Sequence, residues 1–485
     1  MVLLERSDLL IQMTPWIPEL EPLLMYEYCE FKTGRGENSA PMEIKKVCMF
    51  KKTEDQKSGF FPAGYYESVI NFLDKNHIEH EYKDYRNLKK LFVEPDWSEI
   101  PPLRPGQKEA LEAITKHDHG LIVCATGFGK SFVCRQLCKL YPKSRFIIIA
   151  PGAADIRNLY YELDKMFPGE VALMGAGKHG DPSKRIALST TKSVLKCDFN
   201  NCDFFIYDEA HGCGHNQSTQ AILAHLGESR IYGFTATPVG RGDRTDKLME
   251  AVFGPVIFEM TYQESQAVGN VSPIEVFIYD IGEQKIETTR FDSFISKKRK
   301  LYWRNTERNL SIACLARALP EDEQVLIMVE TIDHIIHLAT YLPEYTLVIG
   351  GTDDIMKRAK SSRVKIRNTI ADNNKARQQV YQDFQSGKIK KVLCTGVWKQ
   401  AVDFKQLSVL IRADGAPSPI ASYQIPGRLS RIAEGKTKAI LIDFRDTYNE
   451  TAMRNYYARL KTYRKNGWTI NHRGDVLNET FKDRI

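Results

Sequence analysis

From about residue 104 onward, short apolar runs alternate with longer stretches of helical period. The first set of runs is Leu121–Ala125, Phe146–Ala150, Ile186–Ser189, Phe204–Tyr207 and Ile231–Phe234. Such short, continuous runs suit parallel strands buried on both faces, and their alternation with helices predicts a doubly wound α/β domain. The pattern returns at Val325–Val329, Thr346–Ile349, Val392–Cys394, Val409–Ile411 and Ala439–Ile442, so a second α/β domain follows in tandem. Between the two, residues 262–320 read as a polar link and a long helical pattern. The front of the chain differs. "FFPAGYYESVINFLDKNHIEHEYKDYR" reads as a turn, an amphipathic helix and a strand, and "VEPDWSEIPPLRP" reads as a proline-bearing joint. The expected organisation is a small α+β domain over 1–95, α/β domains over 96–261 and 321–485, and the link 262–320. The last domain carries an insert at 352–376 and a C-terminal helix.

Composition narrows the class. The 485 residues are 42% hydrophobic and 27% charged, as in a folded globular protein. No apolar run reaches the roughly 20 residues of a membrane span, and the acid and base in "MVLLERSDLLIQ" do not suit a signal peptide. The ten cysteines include no C-x-x-C pair, which favours free thiols in a reducing compartment such as cytoplasm. His211, Cys213 and His215 lie close in sequence but lack a second ligand pair, so a zinc site is disfavoured. The net charge of +7 is concentrated. Between Lys357 and Lys391 eleven residues are Lys or Arg and only Asp372 and Asp383 are acidic, and Lys297, Lys298, Arg299 and Lys300 form a second cluster. Either cluster is a polyanion contact or a solvated face.

The chemistry begins at "CATGFGKS". A buried strand ending at Ala125 runs through Thr126, Gly127, Phe128 and Gly129 into a helix opened by Lys130 and Ser131. Glycines let the backbone close on phosphate oxygens, and N–H groups at a helix start attract anions. Lys130 would reach the β- and γ-phosphates of ATP, and the Ser131 hydroxyl would ligate Mg²⁺. Cys124 stands where the phosphate-loop pattern has its first glycine, a position that tolerates a side chain if it stays extended. "FFIYDEAH" then places Asp208 and Glu209 after an apolar strand, at the end that faces the same crevice. Asp208 would hold Mg²⁺, and Glu209 would orient and deprotonate the attacking water.

Asp208-Glu209-Ala210-His211 together with "CATGFGKS" resembles the superfamily 2 helicases, and further motifs of that family follow in order over residues 104–445. The resemblance implies two tandem RecA-like doubly wound domains. It implicates Arg104 and Gln107 of "LRPGQKEAL" in reading adenine, and Arg157 and Thr191 in nucleic-acid backbone contact. His211, Thr235 and Thr237, the last two in "FTATP", would couple hydrolysis to domain movement. "VLCTGVWKQAVDF" keeps Asp403 while Ala401 replaces the usual glycine. "QIPGRLSR" supplies Gln424, Gly427, Arg428 and Arg431, and its arginines would stabilise transition-state charge, an effect worth roughly 10³–10⁵ in rate for arginine fingers.

"TATPVGRGDRTD", with Arg241 and Asp243, is similar to an Arg-x-Asp element of DNA-repair helicases, and the front segment is similar to that of tailed-phage recombination helicases of the UvsW type. That resemblance implies branched DNA, a fork or junction, as partner, and the cytoplasm of an infected bacterium as location. The insert "TDDIMKRAKSSRVKIRNTIADNNKA" departs from the family pattern, and its Lys357, Arg358, Lys360, Arg363, Lys365 and Arg367 are expected to contact backbone phosphates. Phe60, Phe61, Tyr65 and Tyr66 either stack on bases or fill a core, the latter favoured by their spacing. A duplex translocase without strand separation, and an ATP-binding clamp for branched DNA, are the alternative readings.

Overall fold

Each apolar run expected as a strand is one, and most extend by a residue or two at an end. The computed structural model describes residues 1–31, 42–213, 226–236, 245–281, 284–289, 291–350, 355–398, 404, 407–418, 422, 426–427, 429, 436 and 438–475. The chain divides into two compact units, Met1–Thr261 and Tyr262–Ile485.

The core of the first unit is an eight-stranded sheet. Across it lie Lys178–His179, Val171–Gly175, Ile186–Thr190, Phe146–Ala150, Phe204–Asp208, Arg230–Thr235, His119–Cys124 and Val256–Met260. All neighbours pair in parallel except the short Lys178–His179 edge. The central strands are buried along their whole length, which is why they read as unbroken apolar runs. Val171–Gly175 is a strand that the pattern does not predict: "VALMG" holds one β-branched residue, and only its place between two strands makes it extended.

The front residues form a second sheet in the same unit, ordered Lys51–Lys52, Gly59–Pro62, Leu10–Thr14, Val2–Arg6 and His80–Asp84. Helix Tyr66–Lys75 leads into the last strand, which pairs in parallel with Val2–Arg6. Phe61 and Tyr65 are fully buried in this sheet's core and the Tyr66 ring lies 4.6 Å from that of Tyr82. Filling a core is thus the role the structure gives these rings.

This front module is joined tightly to the large sheet. Asp118 pairs with Arg6 at 2.8 Å and with Arg86, which is held in turn by Asp84 at 2.6 Å. Tyr65 donates to the Lys247 carbonyl at 2.9 Å and Ser68 to Glu250 at 2.5 Å, so the module grips helix Thr245–Phe253. Ala251 of that helix belongs to the front core, and Gly64 leaves no room for a Cβ against the Glu250 carbonyl.

The second unit carries another eight-stranded sheet, all parallel, ordered Ile370–Ala371, Thr346–Val348, Lys391–Cys394, Val325–Met328, Val409–Arg412, Ala439–Arg445, Ile274–Asp280 and Thr469–Asp475. The stretch 262–320 is thus more than a link: it supplies the Ile274–Asp280 strand and helix Thr306–Ala318. Helix Glu450–Lys465 follows as expected, and a further strand extends the sheet. The basic insert forms helix Ile355–Ser361 and the short edge strand Ile370–Ala371. Among the described residues no helix is long and apolar enough to cross a membrane.

Burial pushes the Asp118 carboxyl up, but the hydrogen bond and charge of His119, with the charges of Arg6 and Arg86, outweigh it and hold the group far below the usual range. A depressed folded-state pKa gives stability that is present above the ordinary carboxylate pKa near 4 and lost as pH falls toward the folded value. Asp118→Asn should therefore cost about 3 kcal/mol at pH 7, because Arg6 loses its carboxylate partner and Arg86 is left to Asp84 alone. In denaturant titrations the gap between variant and wild type should narrow below about pH 4.

Candidate nucleotide-binding and hydrolysis site

Three neighbouring strands of the first sheet end at one edge. His119–Cys124, Arg230–Thr235 and Phe204–Asp208 are paired in parallel, with Thr235 opposite Val123 and Asp208 opposite Phe234. The glycine turn after Cys124, the Thr235 hydroxyl and the carboxylates Asp208 and Glu209 are therefore side by side because their strands are in register.

Cys124 is the last residue of its strand and is wholly buried among Ile122, Cys134 and Ile148. Burial pushes its thiol up to about 12, so it acts as a small neutral hydrophobe. The turn that follows depends on glycine further on: Gly127 and Gly129 have φ of +100° and +101°. Gly129 caps helix Lys130–Leu140, and its carbonyl accepts from Phe132 at 2.9 Å and Val133 at 3.1 Å. Gln107 lies against this turn. Its buried amide donates to the Phe128 carbonyl at 2.9 Å, and its oxygen accepts from the Arg104 backbone N–H at 3.0 Å. The segment expected to read adenine is thereby fastened to the phosphate loop, while the Arg104 side chain is exposed.

Lys130 Nζ lies 3.8 Å from Glu209 Oε1. Glu209 has φ +54°, a left-handed conformation that costs a non-glycine residue about 1 kcal/mol. The twist turns the chain directly after Asp208 into the short turn Ala210–Gly212. Its backbone N–H donates to Asp208 Oδ1 at 3.0 Å, and Glu209 Oε2 lies 3.2 Å from His211 Nδ1. That imidazole nitrogen is also 3.5 Å from Thr235 Oγ1. Lys130, Glu209, His211 and Thr235 thus form one chain of polar contacts from the phosphate loop to the strand of "FTATP".

Burial, and then the charge of Glu209, push the Asp208 carboxyl well above the usual range, against the opposing pull of Lys130. A desolvated carboxyl crowded by another carboxylate suits a cation neighbour, which fits Mg²⁺. Among the described residues no group of three carboxylates, imidazoles or thiols could hold a metal, so the ion would take most of its ligands from phosphate and water. Asp155, on helix Ala153–Met166, adds to the charge that raises Asp208. Nothing in the sequence marks it, because an acidic residue in a first helical turn is ordinary there.

Arg157 is exposed near the start of helix Ala153–Met166, and Thr191 follows Ile186–Thr190 with its hydroxyl 3.2 Å from that of Tyr207. Both occupy the carboxyl-end side of the sheet. In the second unit Lys357, Arg358, Lys360, Arg363, Lys365 and Arg367 are exposed, while Ile355 and Ala359 seat their helix on the core. The other basic cluster is largely consumed by the fold: Lys298 pairs with Glu330, Arg299 with Asp333 at 3.1 Å and Lys300 with Asp292 at 2.8 Å. Thr237, Arg241, Asp403, Gln424, Arg428 and Arg431 lie outside the described residues.

A Cβ on Gly129 would lie 2.8 Å from Gln107 Nε2 in a backbone conformation that L-residues avoid. Gly129→Ala should raise the nucleotide Kd about tenfold or more, since roughly 1–2 kcal/mol of strain falls on the loop. Titration with a fluorescent nucleotide checks it.

Known proteins share the domain make-up of this chain. Residues 100–240 match the family model of the type III restriction enzyme res subunit, 184–308 that of the SWI2/SNF2 ATPase, and 310–433 the helicase conserved C-terminal domain. A DNA 3'-5' translocase XPB2 of Sulfurisphaera tokodaii is 24% identical over 398 residues, covering 74% of this chain and 88% of that protein. The probable helicase D10 of Escherichia phage T5 is 23% identical over 413 residues, 82% of each. The structure of S. cerevisiae Dbp5 bound to RNA and ADP BeF3 aligns over 77% of this chain and 90% of that one, with a TM-score of 0.53 at 15% identity, and shares the fold. The matched models together run over residues 100–433 and are domains of superfamily 2 helicases, and the chain that carries them is an ATP-hydrolysing helicase.

Proposed function

We propose that this enzyme is a DNA helicase of the UvsW type, which uses ATP to remodel branched DNA during phage replication, recombination or repair. The observation that carries the catalytic part is the polar chain Lys130–Glu209–His211–Thr235 beside the phosphate loop. Lys130 and the loop N–H groups bind the β- and γ-phosphates, and Glu209 orients water and takes its proton. A magnesium ion held by Ser131 and Asp208 would neutralise charge on the phosphate oxygens. His211 and Thr235 relay the state of Glu209 to "FTATP". On the sequence resemblance, Asp403 and Gln424 contact nucleotide, and Arg428 and Arg431 meet the charge that develops on the transferred phosphate.

DNA as the track is supported by the relative named a DNA translocase, and the phage setting by the probable helicase of phage T5. Branch recognition is assigned to the front module, whose hold on helix Thr245–Phe253 ties it to the element that follows "FTATP" and the Arg241 segment. Arg157, Thr191, Arg241 and the exposed insert, with Lys357, Arg358, Arg363 and Lys365, are proposed to meet backbone phosphates. The XPB2 relative is named a translocase, which favours movement along DNA without strand separation as the second reading.

Glu209→Gln should bind ATP normally and lose about 10²–10⁴ in DNA-stimulated kcat. Wild type assayed on single strands, forks, four-way junctions and RNA duplexes should displace or migrate strands most rapidly on forked or junction DNA. ATPase without displacement of a labelled strand on any of them would instead establish the translocase, and preference for RNA would sink the DNA assignment.

Neutralising Lys357, Arg358, Arg363 and Lys365 together should flatten the salt dependence of fork binding, by about 0.9 in the log–log slope for each duplex phosphate that is no longer neutralised. An unchanged slope would make the insert a solvated surface.

A further inference from the structure

Helix Glu450–Lys465 has two faces of opposite character. Ala452, Tyr456, Arg459, Leu460 and Tyr463 are buried. Arg459 is the one cation among these five, and it pairs with Asp443 at 2.8 Å and with Asp446 at 3.4 Å. At about 100° of turn per residue, the opposite face carries Arg454, Tyr457, Lys461, Arg464 and Lys465, all exposed and all within an arc of about 100°. The exposed Tyr457 ring lies 5.1 Å from that of Tyr456.

The four cations of this stripe are uncompensated. Among the described residues no carboxylate pairs with Arg454, Lys461, Arg464 or Lys465, and the only acidic residue of the helix is Glu450 in its first turn. The cluster at Lys298, Arg299 and Lys300 is different, since each of its cations has a carboxylate partner. Lys461 lies one turn from both Arg464 and Lys465, and like charges so placed repel. The helix dipole offsets that repulsion in the last turn, at Arg464 and Lys465, but its effect fades before Lys461 and Arg454. A face that is merely solvated mixes the two signs. A face that keeps one sign at a cost to its own helix suits a polyanion.

The stripe is separate from the basic insert. Helix Glu450–Lys465 leads into strand Thr469–Asp475 at one edge of the second sheet, whereas the insert supplies Ile370–Ala371 at the other. Seven gaps of about 4.8 Å put those edges about 34 Å apart. Along the helix, Arg454 to Lys465 spans about 16 Å, the axial length of about five phosphates of one duplex strand.

We infer that the exposed face of helix Glu450–Lys465 is a contact surface for the phosphate backbone of duplex DNA, made by Arg454, Lys461, Arg464 and Lys465 around Tyr457. The inference rests on DNA as the track. A rigid helix holds the four charges in one line, and a stiff duplex can meet such a line along its length. The Tyr457 hydroxyl adds a neutral donor for phosphate oxygens.

In the full-length chain, Arg454→Gln, Lys461→Gln, Arg464→Gln and Lys465→Gln together keep helix propensity and remove four charges. Binding of a fluorescent DNA duplex is then followed over a range of salt. The log–log slope should fall by about 0.9 for each phosphate no longer neutralised, to a limit of roughly 3.6, while ATPase without DNA stays at the wild-type level. The slope does not depend on the fraction of protein that is folded, so partial misfolding cannot imitate the effect. Arg454→Lys with Arg464→Lys keeps the charges and should keep the slope. If wild type binds the duplex in a salt-dependent way and the fourfold variant has the same slope, or changes it only on a single strand, the surface is overturned while the DNA reading stands. If wild type shows no salt-dependent binding of DNA, the DNA reading fails and takes the surface with it.

Discussion

Parallel pairing of three strands in the first sheet is the constraint on which the catalytic arrangement depends. Cys124, Asp208 and Thr235 end adjacent strands at one edge, and the hydrogen-bonded register holds them there. The groups proposed for catalysis need no long side chains to meet, since the backbone delivers them. A slip of one residue would move every side chain to the opposite face, which the separate packing of the two faces opposes. The glycines of the phosphate loop and the left-handed Glu209 are local departures that this rigid frame sustains.

Both units use buried charge to fix geometry. In the first, Asp118 ties Arg6 and Arg86 of the front module to the end of the large sheet's first motif strand. In the second, the forks of Arg308, Arg412 and Arg459 hold the carbonyls of Ala413, Gly415 and Ala416 and the Ser422 hydroxyl. Desolvation makes each such pair a poor contributor to net stability and a strict judge of placement, because a displaced partner leaves a naked charge. The two sites differ in reach: one fastens a module, the other a single segment.

Helix Thr245–Phe253 links two parts of the first unit. Ala251 packs in the front core, while Leu248, Met249 and Phe253 pack with Tyr207 and Ala210 beside the catalytic turn. The front module and the Glu209 turn therefore share a wall of side chains. In close-packed interiors such a wall has little slack, so a displacement at one face is felt at the other.

The strands that carry the site were legible because burial on both faces forces unbroken apolar runs, and the phosphate loop and Asp208–Glu209 were legible because their chemistry dictates residue type and spacing over a few neighbours. Val171–Gly175 was not, since its extended form comes from the strands beside it, whereas "IEVFIYD" at Ile274–Asp280 has the β-branched and aromatic make-up of a strand but stands within a stretch that reads as a polar link. Lys298 and Arg299 read as part of a surface cluster, yet Glu330 and Asp333, some thirty residues on, neutralise them. Arg308, Arg412 and Arg459 carried no signal, because an arginine fork acquires meaning only when distant carbonyls are brought within 3 Å. The sequence by itself determined the alternation of strands and helices that makes two α/β domains and pointed to the groups proposed to react, which are local properties. Tertiary structure alone decided which charges are paired and which backbone is held, because those depend on groups far apart in the chain meeting away from water.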